Sequence, residues 1–190
     1  VGTSPAARKA VLDAAARTKM PYFTERWIGG ALTNFKVIAK RVEYLDTLER
    51  EKTSGEFEKY TKKERMTREE EIGRLKKNFD GLRTLSRIPD AVVIVNTTHD
   101  TTAVREARLM KVPLVALCDT NADASKVDYP IPANDDALPA VRYMVDRLAS
   151  AMEEGLQMRS ANFTPTPEIG VEAREARIKE TEGQSAPGGQ

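Results

Sequence analysis

The chain has 190 residues, which is long enough for one domain with a hydrophobic core plus an insertion or a tail. Charged residues make up 31% of it, yet the formal net charge is only +1, and one cysteine excludes an internal disulfide and fits a reducing compartment. No apolar run approaches the roughly 20 residues that a membrane-spanning helix needs, so we expect no membrane partner.

The charge is unevenly distributed along the chain. Residues 1–90 hold 20 Lys/Arg against 14 Asp/Glu, whereas residues 91–190 hold 10 against 15. Contact with a polyanion is therefore expected in the first half. The alternative is that this modest excess belongs to solvated helix faces, and charge alone does not decide between the two.

The chain begins with a pattern that predicts a strand end followed by a helix. Thr3 or Ser4 can cap a helix over 6–19, because Pro5 suits its first turn. Residues 21–23 form a candidate short strand.

Residues 34–82 carry two stripes of apolar residues at the three- and four-residue spacing of a helix face. The first stripe consists of Phe35, Ile38, Val42, Leu45 and Leu48, and the second of Ile72, Leu75, Phe79 and Leu82. Gly55 can end the first helix, and Thr61 with Glu64 forms the capping-box pattern that begins the second. We therefore predict an antiparallel helical hairpin, a short coiled coil, over 34–82.

The pattern changes after residue 88. Two unbroken apolar runs, 91–95 and 114–118, predict strands, with a helix over 101–110 between them. Alternating helices and fully apolar strands indicate a parallel sheet that is covered on both faces. The predicted fold class is therefore α/β, with the helical hairpin inserted into it.

The last part of the chain predicts an extended piece, a long helix and a tail. The extended piece lies near 129–131, and the helix runs from about 135 to 157. From 159 to 190 Pro, Gly, Ser, Gln and charged residues dominate, which predicts a disordered C-terminal tail.

The stretch 26–34 reads Arg-Trp-Ile-Gly-Gly-Ala-Leu-Thr-Asn and holds the only tryptophan of the chain. It has no histidine and no paired carboxylates, so it does not suit catalysis. Gly29 and Gly30 allow a sharp turn, while Arg26 and Trp27 offer a planar cation and an aromatic face, groups that contact phosphates and stack on bases. The alternative is that Trp27 is a core aromatic residue and Arg26 an ordinary surface charge.

Polar residues after the strands offer a second candidate site. Asp119, Asp123, Asp135 and Asp136 follow or precede predicted elements at one edge of the sheet, where they could hold Mg²⁺. Capping and turn chemistry explain the same residues, and no metal-ligand spacing or phosphate-binding glycine loop accompanies them. His99 lacks a nucleophile motif, so we expect a capping or surface role for it. We predict no metal and no cofactor.

Three ordered blocks resemble the bacterial small-subunit ribosomal protein S-two family. The blocks are 26–34; then 89–95 (Pro-Asp-Ala-Val-Val-Ile-Val) continuing through Glu106-Ala107 to Val112-Pro113; and then 118–121 (Cys-Asp-Thr-Asn), 129–132 (Tyr-Pro-Ile-Pro) and 134–137 (Asn-Asp-Asp-Ala). They cover most of residues 1–157. Because the chain begins at Val1, inside a strand-to-helix unit, we expect its N-terminal part to be missing. The family more often has an acidic residue where this chain has Asn96, which weakens the metal hypothesis.

The resemblance implies a fold and a domain organisation. The fold is a doubly wound parallel sheet, flavodoxin-like or Rossmann-like, with the hairpin as an insertion. The α/β domain would comprise residues 1–33 and 83–158, the hairpin 34–82 and the tail 159–190.

The resemblance also implies a function. It is that of a structural constituent of the bacterial small ribosomal subunit, cytoplasmic and ribosome-bound, which is not an enzyme and has no small-molecule substrate. Its partners would be small-subunit ribosomal RNA and other small-subunit proteins, including ribosomal protein S-one. The alternatives are a metal- or nucleotide-dependent α/β enzyme that uses the strand-end aspartates, and a protein–protein module that uses the hairpin. The predicted RNA-binding residues are Arg8, Lys9, Arg26, Trp27, Asn34, Lys36, Lys40 and Arg41.

Overall fold

A computed structural model describes residues 1–161 of the chain, with side chains as far as Arg159. In chain order, the five α-helices and three strands of these residues are α1 (Pro5–Thr18), α2 (Phe35–Thr53), α3 (Lys62–Phe79), β1 (Val92–Ile94), α4 (Thr101–Leu109), β2 (Leu114–Cys118), β3 (Tyr129–Pro132) and α5 (Leu138–Ala161). Val1–Gly155 form one compact unit, and a second unit, Leu156–Gln190, is described only over the end of α5.

The three strands form a parallel sheet in the order β1-β2-β3. Val93 pairs with Val115, and Ala116 pairs with Pro130. β1 and β2 are built from apolar residues that are mostly buried, as parallel strands covered on both faces require. The chain is thus a mixed α/β protein.

Helices lie against both faces of this sheet. One core cluster joins Ile94 and Leu114 to the apolar side of α4, through Ala103, Val104 and Ala107. Another joins Val95 and Leu117 to residues of α1 and α5. The successive residues Ile94 and Val95 point to opposite faces, so each face of the sheet has its own hydrophobic core.

The first residue of the chain lies beside β1. Because the Val92 amide donates to Pro113 on the β2 side, the amides of Val93 and Val95 face the other way. There the Val95 amide donates to the Val1 carbonyl (2.9 Å) and the Val1 nitrogen donates to the Val93 carbonyl (2.6 Å). α1 confirms the helix that was predicted to follow Val1. The two bonds place Val1 beside β1, where the end of a strand was predicted.

The strand predicted over 21–23 is wrong. The Phe23 carbonyl accepts from Gly2 and the Tyr22 amide donates to the Gly81 carbonyl, so the segment makes a single bond to each neighbour and forms a ladder with neither. Pro21 has no amide hydrogen to contribute to such a ladder.

Helices α2 and α3 pack on one another along the two predicted stripes. Leu45, Leu48 and Ile72 are buried in one cluster with Phe57 from the connection between the helices. Gly55 stands just beyond α2 with φ of 79°, and Thr61 with Glu64 completes the predicted capping box at the start of α3.

Several bounds differ from the prediction. α3 ends at Phe79, so Leu82 belongs to a short 3-10 turn, although it is 1% exposed as a core residue should be. α5 begins at Leu138, because Asn134 accepts from the Asp136 and Ala137 amides and holds that segment in a turn. It reaches Ala161, three residues into the predicted tail, and the rest of that tail lies outside the described residues. None of the helices described is both long enough and apolar enough to cross a membrane.

Candidate nucleic-acid interface

The turn before α2 is held by one buried carboxylate, that of Glu106 on α4. Its Oε1 accepts from the Trp27 indole nitrogen (3.0 Å) and the Gly30 amide (2.7 Å). Its Oε2 accepts from the Leu32 amide (3.1 Å), the Thr33 amide (3.2 Å) and the Thr33 hydroxyl (3.1 Å). A single side chain therefore receives five hydrogen bonds from residues 27–33, and we call this segment the Glu106 turn.

These bonds keep the buried carboxylate charged. Burial by itself raises the pKa of Glu106, but the donors from Trp27, Gly30, Leu32 and Thr33 outweigh it, so that the pKa lies below its ordinary value. Hydrogen bonds to an ionised acceptor are stronger than neutral ones. The Glu106 turn is consequently fixed at both of its ends.

Gly30 and Trp27 each have a definite part in this turn. Gly30 has φ of 88°, a conformation that glycine adopts at no steric cost. Trp27 is half-buried, packs against two of the core clusters and lies 4.6 Å from the Phe23 ring, centroid to centroid. The structure thus makes Trp27 an anchor of the turn, and its contact with RNA stays a prediction.

Four of the predicted RNA-binding residues stand together at the start of α2. Asn34 is its N-cap, and its exposed side chain makes no capping hydrogen bond. Lys36, Lys40 and Arg41 are exposed, and none of them forms an ion pair with any other described residue. The positive end of the helix and three uncompensated cations therefore occupy one short stretch.

Farther along the same two helices, several cations are paired with acids. The ion pairs between α2 and α3 are Lys52–Glu69 (2.9 Å), Arg68–Glu51 (3.4 Å) and Lys76–Glu49 (2.7 Å). Arg83 adds contacts to Glu49 (2.8 Å) and Asp46, and its pKa is raised by the hydrogen bond to Glu49. These cations stabilise the helix pair and are not free for an external anion.

The remaining predicted site residues lie outside α2. Lys9 on α1 is exposed and forms no ion pair within the described residues, whereas Arg8 contacts Glu25 at 3.7 Å and donates to the Thr3 carbonyl. Arg26 is exposed and lines a cleft of about 150 Å³ together with Lys77.

His99 belongs to a hydrogen-bond network with Thr3 and Asp100, which lies just beyond Val1 and the carboxyl end of β1. Its Nδ1 lies 2.7 Å from the Thr3 hydroxyl, which donates to Asp100 Oδ1 at 2.7 Å. The acid therefore holds the hydroxyl rather than the imidazole, from which it is 3.9 Å away. A catalytic triad needs the acid to orient the histidine, so this arrangement does not form one.

The strand-end aspartates gather only in part. Asp119 Oδ2 accepts from the Asp135 amide at 3.3 Å, but Asp123 is engaged by Lys126 and Ser125. Within the described part of the chain, neither oxygen of the fully buried Asp135 has a hydrogen-bond partner. Burial, followed by the charges of Asp136 and Asp119, raises the pKa of Asp135. Among the described residues, no three His, Cys, Asp or Glu side chains are grouped so as to hold a metal ion.

The sequence interpretation missed the role of Glu106. Its position did contain a signal, because Glu106 stands among Ala103, Val104 and Ala107 on the apolar side of α4 and is 5% exposed. A buried acid requires partners. The identity of those partners, more than seventy residues earlier in the chain, was not readable from the sequence.

Fold and site together define a class of protein. It is an α/β protein with a parallel sheet, a rigidly held turn and uncompensated cations at the start of a helix, and the polar residues at its strand ends form no catalytic arrangement.

Comparison with known proteins gives the family. The chain belongs to the family Ribosomal protein S2, whose model matches residues 1–155.

Several relatives of this chain carry the same name. It is 41% identical to Small ribosomal subunit protein uS2 of Mycobacteroides abscessus over 172 residues, which cover 90% of this chain and 62% of that protein. It is 42% identical to the Mycobacterium leprae protein of that name, over 84% of this chain and 58% of the relative, and 41% identical to that of Bifidobacterium longum subsp. infantis, over 98% and 67%. The chain thus spans about three fifths of the length of the mycobacterial relatives.

Proposed function

We propose that the chain is part of a structural protein of the bacterial small ribosomal subunit and binds small-subunit ribosomal RNA through its phosphates. The names of the relatives support the assembly, and family membership supports a role in translation without catalysis. The observation that carries the RNA contact is the group of uncompensated cations Lys36, Lys40 and Arg41 beside the Glu106 turn.

Phosphate is the group that suits this site best. A cation without an intramolecular partner breaks no ion pair when it binds an anion. Each phosphate contact also releases condensed counterions from the RNA. The N-terminus of a helix adds a partial positive charge and unbonded amide hydrogens. The Asn34 side chain makes no capping hydrogen bond and can donate to a phosphate, and Arg26 and Lys9 extend the set of free cations.

Recognition would depend on shape and backbone charge rather than on base reading. Ordered RNA helices present phosphates and 2′-hydroxyl groups to proteins more readily than base edges. A rigid turn that holds cations in one place suits such a surface, because contacts to phosphates fix the register of a protein on the nucleic acid. Trp27 and Arg8 belong to the interface in this proposal, the former by holding the turn.

The fold proposal completes the sheet and the domains. We propose a doubly wound, flavodoxin-like sheet to which Val1 adds a parallel strand, with α2 and α3 as an inserted coiled-coil hairpin over 34–82. The bonds of Val1 to Val93 and Val95 support the added strand. The antiparallel pairing of residues late in α2 with residues early in α3, such as Lys52 with Glu69, supports the hairpin.

The proposed setting is the ribosome in the cytoplasm, with other small-subunit proteins as neighbours, ribosomal protein S-one among them. The enzyme alternative is not favoured, because the acid of the His99 network holds a threonine and the strand-end aspartates do not group.

Co-sedimentation tests this proposal. A tagged form of the protein should travel with small-subunit RNA when a bacterial lysate is separated on a sucrose gradient. A variant with Lys36 and Lys40 changed to Ala should shift toward the top of the gradient, and a matched variant with Lys52 and Lys76 changed to Ala should not. Recovery of the unchanged protein only in the soluble fractions, while other ribosomal proteins remain bound, would contradict the proposal.

A further inference from the structure

We infer that Glu106 is a positioning residue for RNA binding: from the sheet side of the protein, its carboxylate fixes the direction in which the start of α2 presents Lys36 and Lys40 to phosphates. The inference rests on the proposed function, since it assigns a role to a residue behind the proposed interface. Glu106 itself is 5% exposed and is not a contact for RNA.

The first step is that Glu106 is itself held in place. It stands on α4, whose neighbouring residues Ala103 and Ala107 are fully buried against β1 and β2. A side chain on a helix packed into a core has little freedom to move. The two carboxylate oxygens are therefore fixed relative to the sheet.

The second step is that the Glu106 turn joins two cores. Leu32 is buried in the cluster that contains α4 and the sheet, whereas Ala31, the residue before it, is buried in the cluster that contains α2 and α3. Packing alone leaves such a junction free to rotate, because apolar contacts have no direction. The five hydrogen bonds to Glu106 do have a direction, so they fix the path of the chain across the junction.

The third step is that α2 follows from this path. The Asn34 amide donates to the Gly30 carbonyl at 2.8 Å, and α2 begins one residue later. Lys36 and Lys40 lie in the first two turns of that helix, about 5 Å and about 10 Å of axial rise from Thr33. A displacement of the turn backbone would therefore move both lysine ammonium groups together.

Replacement of Glu106 by Gln tests the inference, because Gln keeps the shape but places an NH₂ group against backbone or indole donors. We expect E106Q to lower the affinity for small-subunit ribosomal RNA about tenfold, within the range found for coupled neighbouring residues. The slope of log affinity against log salt should become shallower by about one unit, as it does when a phosphate contact is lost. Loss of stability alone would not change this slope in protein that remains folded.

A double-mutant cycle separates positioning from a general effect. In protein with Lys36 and Lys40 already changed to Ala, E106Q should cost much less affinity than in the unchanged protein, because the groups that it positions are gone. Equal losses in the two backgrounds would overturn the inference. If the lysine pair alone changed neither affinity nor slope, the proposed function would fail first and the inference with it.

A milder variant guards against misfolding of E106Q. Thr33→Ala removes only the hydroxyl bond to Glu106 and should shift affinity and slope in the same direction by a smaller amount. Its control is Thr67→Ala on α3, whose hydroxyl donates only to the Lys63 carbonyl in its own helix and should have no effect. A wild-type slope in Thr33→Ala, with E106Q either unfolded or of wild-type slope, would overturn the inference.

Discussion

Lysines at the start of α2 and lysines farther along α2 and α3 are in opposite situations. Lys36 and Lys40 stand exposed and form no ion pair in the described part of the chain, while Lys52 and Lys76 are about half exposed and lie within 3 Å of Glu69 and Glu49. An ion-paired lysine must leave its partner before it binds a phosphate, and an unpaired one need not. The count of charges over residues 1–90 therefore overstates how many are available to RNA.

The comparison also separates what holds the two regions together. The middle of the helix pair depends on apolar burial, with Leu45 at 0% exposure and surface ion pairs around it. The start of α2 depends on directional hydrogen bonds to Glu106. Mutations in the apolar core of the helix pair should therefore affect stability most, and mutations at the start of α2 should affect binding most.

The largest expected effect on stability is that of Leu45→Ala. Removal of a fully buried leucine side chain costs about 2–5 kcal/mol of unfolding free energy, because it loses burial and leaves a cavity. Denaturant unfolding measures this cost. At conditions where the variant remains folded, its salt slope for RNA should equal that of the unchanged protein. A slope change as large as that of the Lys36 and Lys40 variant would mean that the two regions are not separable.

A second prediction concerns pH and has opposite signs at two buried acids. The pKa of Glu106 is lowered in the folded protein, so its contribution to stability is complete above the unfolded value of about 4.3 and is lost as the pH falls through the folded value. Glu106→Gln should therefore destabilise most at neutral pH and progressively less in acid.

The pKa of Asp135 is raised instead, so its ionisation costs stability as the pH rises from the unfolded value of about 3.9 toward the folded value. The stability of Asp135→Asn relative to the unchanged protein should therefore increase as the pH rises through this range. Denaturant unfolding of both variants between about pH 3 and 7 measures the two trends. The same sign at both residues would contradict the pKa directions.

The smallest expected effect is that of Trp27→Phe. Phenylalanine keeps an aromatic ring beside Phe23 but cannot donate to Glu106, which retains its other four bonds, so the loss should be about 1 kcal/mol. Unfolding measures this loss, and RNA titration at several salt concentrations accompanies it. A large loss of RNA affinity without loss of stability would instead identify Trp27 as a residue that stacks on a base.

Local patterns predicted local structure well. Thr61 and Glu64 are three residues apart, and the capping box that they form is present because nothing distant competes for it. The caps, helix stripes and apolar runs also predicted α1, α2, α4, β1 and β2 to within two residues at each end, and an extended piece was predicted where β3 lies. The error over 21–23 arose because the bonds of that segment go to Gly2 and Gly81, which no local pattern reveals.

The candidate site was predictable only in its exposed half. The stretch 26–34 was identified from its own residues, and Lys36 and Lys40 from their spacing. The bonds of Glu106 to residues 27–33 span more than seventy residues and depend on the packing of α4, which a single sequence does not give. Ion pairing is hidden for the same reason, since Lys52 and Lys40 look alike until α3 is placed beside α2.

A salt titration of two lysine pairs tests the central claim most directly. The unchanged chain, the K36A/K40A variant and the K52A/K76A variant would each be titrated with small-subunit ribosomal RNA at several salt concentrations. We predict a slope of log affinity against log salt that is shallower by about one to two units for the Lys36 and Lys40 pair and nearly unchanged for the Lys52 and Lys76 pair. Equal slopes for the two variants, or a larger change for the ion-paired lysines, would contradict the claim that the uncompensated cations at the start of α2 bind the phosphates.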